Sequence, residues 1–142
     1  MSPGRTAWAG LAGAAAAGAW AVAEPALRDA VGGHHSQARL IGGLVAPDGD
    51  WETVGLGVHL ANGAMFGVAF AWLGLGGVAQ GVLAAEAENA VLWPLTAVLD
   101  RRHPDVRSGE WPPMARSRSA FAQEVLGHAV FGAVLGALVR RG

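Results

Sequence analysis

With 142 residues the chain has room for one domain, and its 52% hydrophobic against 15% charged residues sets it apart from soluble domains, where about 25% are charged. A net charge of −1, with arginine as the only basic residue type besides histidine, offers no broad basic face for nucleic acid. The absence of cysteine excludes disulfides, thiolate metal sites and a cysteine nucleophile.

The first apolar run is Ala7 to Ala23, preceded by Arg5 and ending in Ala21-Val22-Ala23. That pattern also fits a secretory signal with a small-residue cleavage site. It is read here as a membrane helix continuing toward Ala30, with a kink or break at Pro25. Residues 28–52 follow as a polar connection carrying Arg28, His34, His35, Arg39, Asp48, Asp50 and Glu52, with its middle, Leu40 to Ala46, at the interface. The second run spans Thr53 to Leu75. The third follows the Gly74-Leu75-Gly76-Gly77 turn and reaches Leu99, with a kink at Trp93-Pro94. Asp100 to Ser119 is a charged loop containing Pro104, Pro112 and Pro113, and the fourth run, Ala120 to Val139, ends in Arg140-Arg141.

Each run approaches the ~20 residues that a ~30 Å hydrocarbon core requires. The expectation is an all-α fold: a single-domain, integral membrane four-helix bundle of up-down topology, with helices at about 7–30, 53–75, 77–99 and 120–139. Arg28, Arg39, Arg101, Arg102, Arg107, Arg116 and Arg118 lie on one side, and Arg5, Arg140 and Arg141 on the other. The positive-inside rule then places loops 28–52 and 100–119 in the cytoplasm of an inner (plasma) membrane protein. Trp51, Trp72 and Trp111 fall near the expected interfaces. Gly63-x-x-x-Gly67, Gly77-x-x-x-Gly81 and Gly132-x-x-x-Gly136 offer surfaces for close helix contact, within the bundle first and in a homo-oligomer or larger membrane complex second.

Ionisable groups inside hydrocarbon are costly and mark the first place to look for function. Helical spacing groups His59 with Asn62, Glu86 with Asn89 and Trp93, and Glu124 with His128 on single faces. At ~1.5 Å rise per residue these groups converge in one layer on the polar-loop side, with Glu24 above it. Glu88 points elsewhere, nearer Gln80, and His34, His35 and His103 read as solvated loop residues. The Arg101-Arg102 pair reads as a topology anchor.

Three chemistries fit such a layer. Carboxylates and imidazoles in a helix bundle can hold metal, but Glu124-x-x-x-His128 departs from the Glu-x-x-His pairs of di-metal bundles. That leaves a single ion on His59, Glu124 and His128, or a bound lipid instead. Acid/base catalysis on an isoprenoid, quinone or other lipid would use Glu124, His128 or Glu86, because a carboxyl buried in lipid holds its proton more tightly and imidazole exchanges protons near neutrality. Ligand-binding groups would be His59, Asn62, Asn89, Trp93 and Glu24. The third reading is structural, in an accessory subunit whose polar side chains hydrogen-bond across helices. No phosphate-binding loop, nucleophile elbow or His-Glu-x-x-His motif is present.

The order of Ala23-Glu24-Pro25, Gly57-Val58-His59, Gln80-Gly81-Val82-Leu83-Ala84, Pro94-Leu95 and Glu124-Val125-Leu126-Gly127-His128 resembles the YagU-like family of small inner-membrane proteins. The resemblance implies a compact multi-span membrane fold in which His59, Glu124 and His128 match family positions. It implies no activity, and Glu86, Glu88 and Asn89 lie outside it.

Overall fold

The computed structural model of the chain describes residues 1–140; Arg141 and Gly142 lie outside the described residues. Regular structure among the described residues is helical throughout: α1 (Pro3–Val31), α2 (Gln37–Val45), α3 (Trp51–Trp72), α4 (Val78–Leu92), α5 (Thr96–Arg102), α6 (Pro104–Ser108) and α7 (Arg118–Leu138). Short 3-10 turns occupy Trp93–Leu95 and Met114–Arg116. Four stretches are long and apolar enough to cross a membrane: α1, α3, Val78–Arg102 and α7.

Local chemistry sets the helix ends. The side chains of Ser36, Asp50 and Ser117 accept the N–H groups of Arg39, Thr53 and Ala120 and so begin α2, α3 and α7. α3 stops at Trp72, short of the expected Leu75, because Gly74 and Gly77 adopt left-handed φ values of 71° and 88°. Of the kink or break expected at Pro25, there is no break: α1 runs through it as one helix. Proline removes one bond of the ladder there, and packing against α3 and α7 outweighs that local loss. At Trp93-Pro94 the expected interruption appears as the 3-10 turn.

α1 packs on α3 and on α7, α4 packs on α7, and α2 packs on α3. The long helices therefore follow the spatial order α3, α1, α7, α4. No comparable contact joins α3 to α4. Glycine makes these crossings close: a β-carbon at Gly13 would overlap the Gly63 backbone, one at Gly81 the Gly132 carbonyl, and one at Gly55 the Ala38 carbonyl. Gly77 faces Gly136 as Gly81 faces Gly132, an antiparallel register. All three glycine motifs are thus used in contacts within the chain. Ala9, Ala12, Ala16, Ala17, Trp20, Phe70, Ala85, Phe131 and Leu135 form the core between them.

The two polar connections are folded rather than open. α2 and the 100–117 segment enclose a second core of Leu40, Trp111, Met114 and Ala120, flanked by Trp93, Leu99 and Val106. Arg39 donates to both Asp105 carboxylate oxygens, at 2.6 and 3.0 Å, and to Glu110 at 2.9 Å. The Asp105 hydrogen bond holds its guanidinium above the usual arginine range. The same guanidinium lies over the Trp51 and Trp111 rings. Asp100 accepts the N–H groups of Met114 and Ala115, closing the segment back on α5.

His103 and Trp111 differ from expectation. His103 is 1% exposed and stacks on Trp111 at 4.9 Å. Its Nε2–H donates to the Arg39 carbonyl and its Nδ1 accepts the Asp105 N–H. Trp111 is buried rather than at a lipid interface, because the apolar face of α2 needs a partner. Replacing Arg39 by alanine is expected to accelerate limited proteolysis between 103 and 117 by about tenfold, the effect of ~1.4 kcal/mol on local opening. Unchanged cleavage would show that this contact does not hold the segment.

Candidate functional site

A cavity of ≈280 Å³ lies between α3 and α4, where those two helices do not pack. α3 lines it with His59, Asn62 and Gly63, and α4 with Glu88, Asn89 and Leu92. Ala17 and Trp20 of α1 and Glu124, His128 and Phe131 of α7 form its back. Leu40, Ile41, Leu99 and Met114 close the polar-loop end. Asn62, Leu92 and Leu95 are both exposed and part of the lining. The mouth therefore faces sideways, away from α1 and α7, with Asn62 of α3 and Glu88 of α4 interacting across it.

Behind the mouth the wall becomes polar. Glu124 Oε1 accepts Nε2–H of His35 at 2.7 Å and of Gln37 at 2.6 Å. Its Oε2 has no bond of this kind and stands 3.9 Å from His128 Nδ1. The Gln37 backbone N–H donates to Glu24 Oε1 at 2.5 Å, so Glu24 serves the N-terminus of α2, where a negative charge is favoured. Gln123 Nε2–H donates to the His35 carbonyl at 2.9 Å. Together these bonds moor the start of α2 to α1 and α7.

Two imidazoles flank Trp20. The His59 ring meets it edge-on at 5.1 Å, and the His128 ring lies tilted against it at 4.7 Å. His59 donates from Nε2 to the Ala17 carbonyl and His128 from Nδ1 to the Glu124 carbonyl. Backbone acceptors thereby engage one nitrogen of each ring, so that in the neutral rings His59 Nδ1 and His128 Nε2 are the acceptors, in side chains that line the cavity. Gly127 gives Trp20 its seat, since a β-carbon there would overlap the indole ring.

Of the residues expected in the polar layer, His59, Asn62, Asn89, Trp93, Glu124 and His128 line one cavity. Glu24 and Glu86 do not. Glu86 hydrogen-bonds Asn89 Nδ2 at 3.4 Å and keeps a buried Oε1 without a partner. Glu88 takes the place expected for Glu86, because the stripe Gly81, Ala85 and Asn89 faces the helix partner. That phase carries Glu88 and Leu92 over the cavity and Glu86 to the other flank.

His35, expected in solvent, is 2% exposed and bonded to Glu124, whereas His34 is exposed. Gln37 and Trp20 were also missed. Ser36 three residues before Arg39, followed by Leu40-Ile41 and Leu44-Val45, is the signal for a short capped amphipathic helix that would bury its first turn. Among the described residues no three His, Asp or Glu side chains come together as a metal-ligating group, including His59, Glu124 and His128. No family model matches the chain, and neither a curated protein nor a solved structure proves similar to it.

Proposed function

We propose that the chain is an up-down bundle of four transmembrane helices that takes an amphiphilic ligand from the bilayer into the cavity between α3 and α4. One observation carries this reading: the cavity opens sideways past Asn62, Glu88 and the apolar Leu92 and Leu95, and ends at Glu124, His59 and His128. A purely structural polar layer would pair its groups with one another, since unmet polar atoms in hydrocarbon are costly. Here two imidazole acceptors and one Glu124 oxygen remain for a guest. Apolar walls of Leu40, Ile41, Leu92 and Leu99 suit a hydrocarbon body, and the polar back suits its head. In this reading loops 28–52 and 100–119 face the cytoplasm of the inner membrane, and exposed apolar helix faces meet lipid, a second copy or a larger complex.

A second reading, enzymatic acid/base chemistry on an isoprenoid, quinone or other lipid, is favoured by Glu124 Oε2 standing beside His128. Both readings are tested by purifying the chain in lipid nanodiscs and measuring retained lipids by native mass spectrometry. The expected result is a stoichiometric amphiphile, depleted at least about tenfold in the double variant Glu124→Gln, His128→Ala. Equal retention by the folded variant would overturn the binding reading. Conversion of the retained species into a new product by the wild type alone would establish the enzymatic one.

A further inference from the structure

We infer that the cavity between α3 and α4 selects an organic cation, the ammonium head of a hydrophobic amine. This deepens the binding reading and rests on it. Two carboxyl groups, Glu88 and Glu124, line the cavity, and among the described residues no arginine does. Arg28 acts on Glu24, which lies outside the cavity. Arg39 is committed to Asp105 and Glu110. Within the wall the only groups able to carry positive charge are imidazoles.

A carboxylate in an apolar enclosure must be neutralised by a proton or by a cation. Glu88 is met by neutral Asn62 and by His128. His128 donates Nδ1–H to a backbone carbonyl, so a neutral ring presents Nε2 as an acceptor. Glu124 has satisfied one oxygen with His35 and Gln37, and its other oxygen has no hydrogen-bond donor. His59 adds a second ring-nitrogen acceptor, and both histidines are more than nine-tenths buried. The back of the cavity therefore offers acceptors and negative charge but no fixed cation. An ammonium supplies the missing charge and can rest against the indoles of Trp20 and Trp93, which line the site. An anionic head would meet two carboxylates in a low dielectric, and that repulsion rejects it.

Protons compete for the same carboxylates, so binding of a permanently charged cation must strengthen as pH rises. The titratable groups facing Glu124 are Glu24 from α1, His35 from the segment before α2, His59 from α3 and His128 from its own helix α7, and the one facing Glu88 is His128; α2 contributes only neutral Gln37.

Three probes of nearly one shape decide the matter: benzyltrimethylammonium, its neutral carbon isostere neopentylbenzene, and benzylsulfonate. Each is titrated calorimetrically into the full chain in zwitterionic-lipid nanodiscs, with empty nanodiscs subtracted. At pH 8 the ammonium is expected to bind at least about tenfold tighter than the neutral isostere, with benzylsulfonate weakest. The preference should shrink at pH 5 and fall by about tenfold in Glu88→Gln and in Glu124→Gln. Neutral-isostere binding by those variants reports an intact cavity; if a variant loses it, the wild-type preference and its pH dependence decide alone. Equal binding of cation and isostere, or tighter binding of the sulfonate, overturns cation selection while leaving a binding cavity. Failure of all three probes overturns the cavity reading itself.

Discussion

Replacing Gly81 by valine is expected to separate α4 from α7 and destabilise the fold by about 3 kcal/mol or more, while the same change at Gly57 has little effect. A β-carbon at Gly81 would overlap the Gly132 carbonyl oxygen and press on Gly136. Backbone atoms cannot rotate away as a flexible side chain can, so the whole crossing has to open, and overpacking of this kind costs ~1–3 kcal/mol even where side chains can adjust. Gly57 has no atom within 4 Å of a β-carbon, which makes it the matched control in α3. Thermal unfolding in nanodiscs, followed by near-ultraviolet circular dichroism, reads the difference. Similar midpoints for the two variants would show that the α4–α7 contact is not close in solution.

Replacing Glu124 by alanine should cost about 3 kcal/mol, whereas glutamine at the same position restores most of it. The alanine variant strands two buried donors, Nε2–H of His35 and of Gln37, at ~1–3 kcal/mol each. It also frees the start of α2 from α7. Glutamine keeps a carbonyl oxygen where Oε1 stands but removes the charge. The two variants thus separate the mooring role of Glu124 from its role toward a guest: alanine loosens the 32–50 segment to proteases, and glutamine leaves it protected. Wild-type stability in the alanine variant would sink this account of the network.

What was legible in the sequence follows from what is local. The four apolar helices are visible because length and composition along a single segment announce them. His59, Asn62 and the Glu124/His128 pair could be placed by depth and helical face alone, and they do meet at one cavity. Choosing Glu86 over Glu88 failed because helix phase is set by a partner. Gly81, Ala85 and Asn89 form the buried stripe, with Gly81 against Gly132 of α7, and nothing within α4 itself declares which side that is. His35 and Gln37 were unreadable for a related reason. Their partner Glu124 lies 87 residues or more away in the chain, so a polar-looking connection turned out to be an inserted helix start. The glycine motifs were readable as contacts but not as pairs, since each motif is satisfied by a different helix.

One consequence reaches beyond the cavity wall. α3 is held by α1 and α2, α4 by α7, and across the opening between them Glu88 and Asn62 interact. The spacing of the two helices is therefore governed by crossings on the far side of the molecule, at Gly13 with Gly63 and at Gly81 with Gly132. A bilayer thinner or thicker than the spans changes their tilt at a cost of fractions of a kcal/mol per ångström. On the proposed reading, a membrane-spanning bundle that holds a guest, a tilt of either outer helix would widen or narrow the aperture and make membrane thickness a variable in the occupancy equilibrium.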